Sequence, residues 1–131
     1  MRRGLAYLPA LCWAAVLLWA GGRTNLPTVP VPMFDKLSHF LAYGLLGVSA
    51  GLGWRRAGIW PGRAWLVACA FSIAALDELH QAGISERTAE FGDWVADAAG
   101  FSLALITTTN FFAAAPGRTR VRRHRHPGSR A

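Results

Sequence analysis

Four apolar runs separated by short polar stretches organise this chain. They cover about residues 5–21, 34–54, 61–81 and 92–112, each close to the roughly 20 residues that carry a helix across a ~30 Å hydrocarbon core. Strict alternation of apolar and polar positions is absent, which argues against a membrane β-barrel. The pattern predicts an all-α, four-helix transmembrane bundle over residues 1–115. The connections are short. Residues 22–33 contain Pro27, Pro30 and Pro32 and read as an extended loop, residues 55–60 as a tight turn, and residues 82–91 as the link between the third and fourth helices. The first run has a signal-peptide alternative, with Arg2 and Arg3 before it and Ala20-Gly21-Gly22 after it. Its length and the three spans that follow favour an uncleaved helix.

Composition and charge fix the orientation. The chain has 131 residues, enough for one domain, with 53% hydrophobic and 16% charged residues, a balance suited to a membrane bundle. The net charge of +7 does not point to nucleic acid, because six of the 14 Lys+Arg lie between Arg118 and Arg130. Residues 116–131 read as a disordered basic tail that favours anionic lipid headgroups. With the N-terminus in the cytoplasm, eleven Lys/Arg fall inside and only Arg23, Lys36 and Arg87 outside. Both termini are then cytoplasmic, and all seven carboxylates lie outside. Cys12 and Cys69 sit within apolar runs and read as small packing residues.

The carboxylates carry the chemistry of interest, because ionised groups at the edge of hydrocarbon are costly. In helix two, Asp35, His39 and Tyr43 are four residues apart and share a face, so Asp35 is placed to hold the His39 ring. The plain alternative is an N-terminal acid that favours the helix dipole, with an interfacial His and Tyr. Helix three ends with Asp77, Glu78 and Gln81. Two acids at a helix C-terminus oppose the dipole, which suggests a function or an ion pair with a neighbour. Arg87 is the one basic residue of the following loop, and its plain role is a bridge to Glu78, Asp93 or Asp97. Asp93 is an ordinary dipole partner at the start of helix four, whereas Asp97 lies about 6 Å deeper along the axis. Gly44, Gly47 and Gly51 form a small-residue stripe on helix two suited to close helix packing.

In order, these residues read Asp-Lys-x-x-His-Phe, then Asp-Glu-x-x-Gln-x5-Arg-x5-Asp-x3-Asp-x2-Gly. The set resembles the VanZ-like family of bacterial membrane proteins over roughly residues 34–105. Asp35, Lys36, His39, Phe40 and Tyr43 fit its first motif, and Asp77, Glu78, Gln81, Arg87, Asp93 and Gly100 its second. Asp97 departs, since the family usually carries Asn there. The resemblance implies a multi-pass protein of the bacterial cytoplasmic membrane, related to a founder associated with low-level teicoplanin resistance. It supplies no reaction.

Three readings of the polar cluster follow. In the first, Asp35, Lys36, His39, Tyr43, Asp77, Glu78, Gln81, Arg87, Asp93 and Asp97 form an outward binding site for lipid headgroups, a lipid-linked wall precursor or a lipophilic glycopeptide. Lys36 and Arg87 would meet phosphate there. In the second, the chain is a small intramembrane enzyme. Asp35, His39 and Glu78 are its catalytic candidates, and His39, Asp77, Glu78 and Asp97 could hold a divalent metal. Ser38 faces away from His39 and makes no Ser-His pair. In the third, ion pairs merely lock the helix ends. A transporter fits less well, since no ionisable residue lies at mid-span. Asp35, His39, Asp77 or Glu78, Gln81, Arg87 and Asp97 are expected to converge near the outer surface, with His39 and Arg87 each within hydrogen-bond reach of a carboxylate from another segment.

Overall fold

The computed structural model describes residues 3–22, 33–58, 61–83 and 90–111. Four α-helices follow a short 3-10 turn at Arg3–Tyr7: α1 (Leu8–Gly21), α2 (Phe34–Arg56), α3 (Arg63–Ala82) and α4 (Phe91–Phe111). There is no strand among the described residues. The expected loops at 23–32, 59–60 and 84–89, with Arg87, and the expected tail at 116–131 lie outside them.

The helix limits follow local chemistry. Asp35 in the first turn of α2 and Arg55 and Arg56 in its last complement the dipole. Gly58, at φ 74, supplies the left-handed residue that stops α2, so the expected turn at 55–60 starts two residues late. The amides of Trp65 and Leu66 both bond to the Gly62 carbonyl at the start of α3. Asp93 sits in the first turn of α4, with its amide on the Glu90 carbonyl at 2.9 Å.

The bundle is built on α2 and α4, which share the most extensive contact. Their facing pairs Lys36–Asp93, His39–Asp97 and Gly51–Thr108 keep a nearly constant separation in sequence, so the two helices run parallel. The approach requires glycine. A Cβ on Gly100 would collide with the Phe40 carbonyl, and one on Gly47 with the Phe101 carbonyl. α3 packs antiparallel on α4, helped by an edge-to-face contact of Phe71 with Trp94 at 5.6 Å. α1 lies mainly against α2, where the Trp13 indole donates to the Ala42 carbonyl at 2.8 Å.

Two features of this arrangement matter for function. First, the six described carboxylates (Asp35, Asp77, Glu78, Glu90, Asp93, Asp97) gather at one end, with Lys36. Arg3, Arg55, Arg56 and Arg63 lie at the other, where Arg63 bonds to Asn110 at 3.1 Å and stacks over Trp54. Second, most of the buried residues are small or polar, beside Tyr43, Leu46, Phe101 and Leu105, while many large apolar residues face outward. Ala10, Ala14, Ala50, Ala70, Ala74, Asp77, Gln81, Asp93, Asp97, Thr108 and Thr109 are buried. Leu11, Trp19, Leu41, Leu45, Trp65, Leu76, Leu103 and Ile106 are exposed.

Among the described residues, one helical stretch, Arg3–Gly21, is long and apolar enough to cross a membrane by length and composition alone. The other three expected spans form helices but do not meet that measure. Glycines with His39 and Tyr43 dilute α2, Asp77, Glu78, His80 and Gln81 dilute α3, and Asp97, Thr107, Thr108, Thr109 and Asn110 dilute α4. Several of these groups are the ones turned inward.

The α2–α4 approach yields a direct test. Gly47→Leu and Gly100→Leu should each destabilise the fold by about 1–3 kcal/mol through overpacking, whereas Gly44→Ala, whose Cβ would stand 3.8 Å from the Gly100 carbonyl, should be tolerated. Thermal unfolding of the purified variants checks this; unchanged Gly100→Leu stability would contradict the packing.

Candidate functional site

The acidic end brings together the N-termini of α2 and α4 with the C-terminus of α3. Amide groups at helix N-termini lack intrahelical partners and carry partial positive charge, so carboxylates are favoured beside them. Glu78 of α3 uses this: its Oε2 accepts the Glu90 amide at 3.1 Å, just before α4 begins. The other oxygen, Oε1, is enclosed and has no partner among the described residues.

One helical turn deeper, His39 Nδ1 lies 3.0 Å from Asp97 Oδ1. Asp97 is 0% exposed, and its second oxygen, Oδ2, has no partner among the described residues. The Tyr43 hydroxyl, one turn beyond His39, is likewise enclosed and unpartnered, within electrostatic reach of Asp97, Asp77 and Glu78. His39, Glu78 and Asp97 each offer a ligand atom within 4.8 Å of the others.

At the rim, Lys36 Nζ contacts Glu90 Oε2 at 2.6 Å and Asp93 Oδ1 at 3.0 Å. Its chain lies over Gly92, where an added Cβ would meet Lys36 Cε at 2.9 Å. The Lys36–Glu90 contact is exposed and screened by solvent, the Lys36–Asp93 contact is partly buried, and together they fix the register of α2 on α4.

Several expectations change. His39 meets a carboxylate from another segment as expected, Asp97 of α4, and not Asp35 of its own helix, which is exposed. A second close set, Asp35, His39 and Asp93, keeps Asp35 near the ring without a hydrogen bond to it. Asp77 does not join the His39–Glu78–Asp97 set. Adjacent helical positions diverge by about 100°, and Asp77 turns instead toward Gly21 of α1, where Gln81 Nε2 donates to it at 3.3 Å. Lys36 is held by two carboxylates rather than presented for phosphate. Ser38 donates to the Asp35 carbonyl at 2.6 Å and takes no part in the cluster. Arg87 lies outside the described residues.

Sequence reasoning passed over Glu90 as a site residue. Its signal was present, since Glu90 and Asp93 are three apart and so share the face that Lys36 meets. Comparison with protein-family models, with curated proteins and with solved structures gives no match to the chain.

The His39–Asp97 pair predicts an asymmetry. His39→Ala leaves an enclosed carboxylate without its partner and should cost about 3 kcal/mol. Asp97→Asn keeps a neutral acceptor of the same size and should cost less. Thermal unfolding of the two purified variants reads the difference, and an unaffected His39→Ala protein would contradict the pairing.

Proposed function

We propose that this chain is a multi-pass protein of the bacterial cytoplasmic membrane, akin to the VanZ-like family. In this reading its acidic end faces outward and binds the polar head of an envelope lipid, a lipid-linked wall precursor or a lipophilic glycopeptide. The supporting observation is the distribution of side chains: Asp77, Asp93, Asp97, Thr108, Thr109 and small residues are buried beside a few large apolar ones, while many Leu, Trp and Ile side chains face outward. Water-soluble folds seldom expose apolar surface of this extent, whereas small inward residues and interhelical hydrogen bonds are what hold helices together in lipid. A hydropathy window averages all faces of a helix. It therefore undervalues α2–α4, whose polar groups are largely shielded by the bundle.

The segregation of charge sets the direction. Arg3, Arg55, Arg56 and Arg63 at one end read as cytoplasmic by the positive-inside rule, together with the basic tail. The opposite end then lies at headgroup depth. Lys36 is already neutralised there, so the unmet polar groups among the described residues are enclosed ones that a ligand would reach by parting the helix ends. Asp97 Oδ2, Glu78 Oε1 and the Tyr43 hydroxyl suit a headgroup bearing hydroxyl or amine donors. An enzymatic reading rests on the His39–Asp97 contact, which would orient the ring as a general base toward a lipid-linked substrate.

Reporter fusions test the embedding. Fusions after Arg63 and after Ala115 should read cytoplasmic and one near Ser85 external; an external signal after Ala115 would overturn the topology. The site is tested by His39→Gln and Glu78→Gln in a susceptible bacterial host. The wild-type chain should protect the host against teicoplanin, and both variants should reach the membrane at wild-type level without protecting it. Protection by neither wild type nor variants would reject the glycopeptide reading.

A further inference from the structure

The centre between α2, α3 and α4 contains more acceptor capacity than the described protein groups satisfy. Asp97 is fully buried, yet Oδ2 has no partner among the described residues. Tyr43, 2% exposed, also leaves its hydroxyl without one, beside the same carboxylates. Glu78 contributes a third enclosed oxygen. Enclosed polar atoms of this kind carry a desolvation cost until something meets them. Lys36 does not meet them, because Glu90 and Asp93 hold it at the rim, and the four described arginines lie at the far end of the bundle.

We propose that His39, Glu78 and Asp97 bind one divalent first-row transition metal ion, Zn²⁺ or Mn²⁺, at the acidic end of the bundle. The inference rests on the binding reading of the same site and names a cation that it would hold. Three features select this set. The donors, one imidazole nitrogen and two carboxylate oxygens, suit Zn²⁺ or Mn²⁺. Their ligand atoms lie within 4.8 Å of one another. Ligand atoms about 2.1 Å from a shared ion stand about 3.0–3.4 Å apart, so the 3.0 Å separation of His39 Nδ1 and Asp97 Oδ1 suits a common ion as well as a hydrogen bond.

The alternative set of Asp35, His39 and Asp93 is a poorer site. Asp35 is solvent-exposed, and Asp93 is already paired with Lys36. The chosen set comes from three helices, so binding would also tie α2, α3 and α4 at one point. With three protein ligands, coordination positions stay open for an outside oxygen, such as a headgroup hydroxyl or phosphate.

The test uses the full chain purified in detergent, stripped with a chelator and titrated separately with ZnCl₂ and MnCl₂. Bound metal is read by elemental analysis after desalting, and stability by thermal unfolding. The wild type should retain about one equivalent of one of the two metals and unfold at a higher temperature with it. Asp97→Asn and Glu78→Gln preserve size and an acceptor oxygen, should stay helical when checked by circular dichroism, and should each weaken binding at least about tenfold. Asp35→Asn should bind as the wild type does. A wild-type protein that takes up neither ion, or variants at positions 78 and 97 that bind as tightly as the wild type, would overturn the proposal. Loss of binding in Asp35→Asn alone would overturn this ligand set. None of these outcomes bears on membrane topology, which the reporter fusions read independently.

Discussion

The close approach of α2 to α4 is the constraint on which the rest depends. Gly100 has no side chain, and the Phe40 carbonyl occupies the space one would need. His39 is the neighbour of Phe40, and Asp97 lies three residues before Gly100, so the same contact brings imidazole and carboxylate together at 3.0 Å. The Lys36–Asp93 contact at the rim and the Gly51–Thr108 contact further along belong to the same parallel register. Widening this seam by one methyl group would disturb both packing and the polar centre.

Electrostatics explain why so many acids tolerate one end. The N-termini of α2 and α4 both point there, and Asp35, Asp93 and Glu78 lie beside their unpaired amides. Lys36 neutralises part of the rim. The deeper carboxylate, Asp97, lies beyond the first turn of α4, and its described hydrogen-bond partner is His39. The charge pattern therefore divides into a rim held by helix ends and an inner centre with unmet acceptors. The proposed ligand chemistry belongs to the second.

Much of this arrangement was legible in the chain. Apolar runs located all four helices, since a run of about 20 residues bounded by Pro, Gly and charge has few other solutions. The stripe of Gly44, Gly47 and Gly51 pointed to a helix partner, and α4 is that partner. That His39 would meet a carboxylate from another segment was legible, but which one was not. Spacing along α2 nominated Asp35 for His39, because intrahelical neighbours are visible in sequence and interhelical ones are not. The choice between Asp77 and Glu78 depended on the rotation of α3 about its axis, which two adjacent acids do not reveal. Glu90 read as loop because the exact start of α4 decides whether it shares a face with Asp93. The apolar character of α2–α4 was diluted by the same residues that the bundle turns inward.

The central claim is that lipid, not water, covers the outward apolar faces. Spin labels placed midway along three helices, at the native Cys69 and at Leu45→Cys and Leu103→Cys, in a Cys12→Ala background, test it most directly in reconstituted bilayers. Cys69, Leu45 and Leu103 are all exposed. The account predicts that dissolved oxygen relaxes all three labels strongly while a water-soluble nickel chelate scarcely reaches them. Strong relaxation by the nickel chelate at all three positions would contradict it.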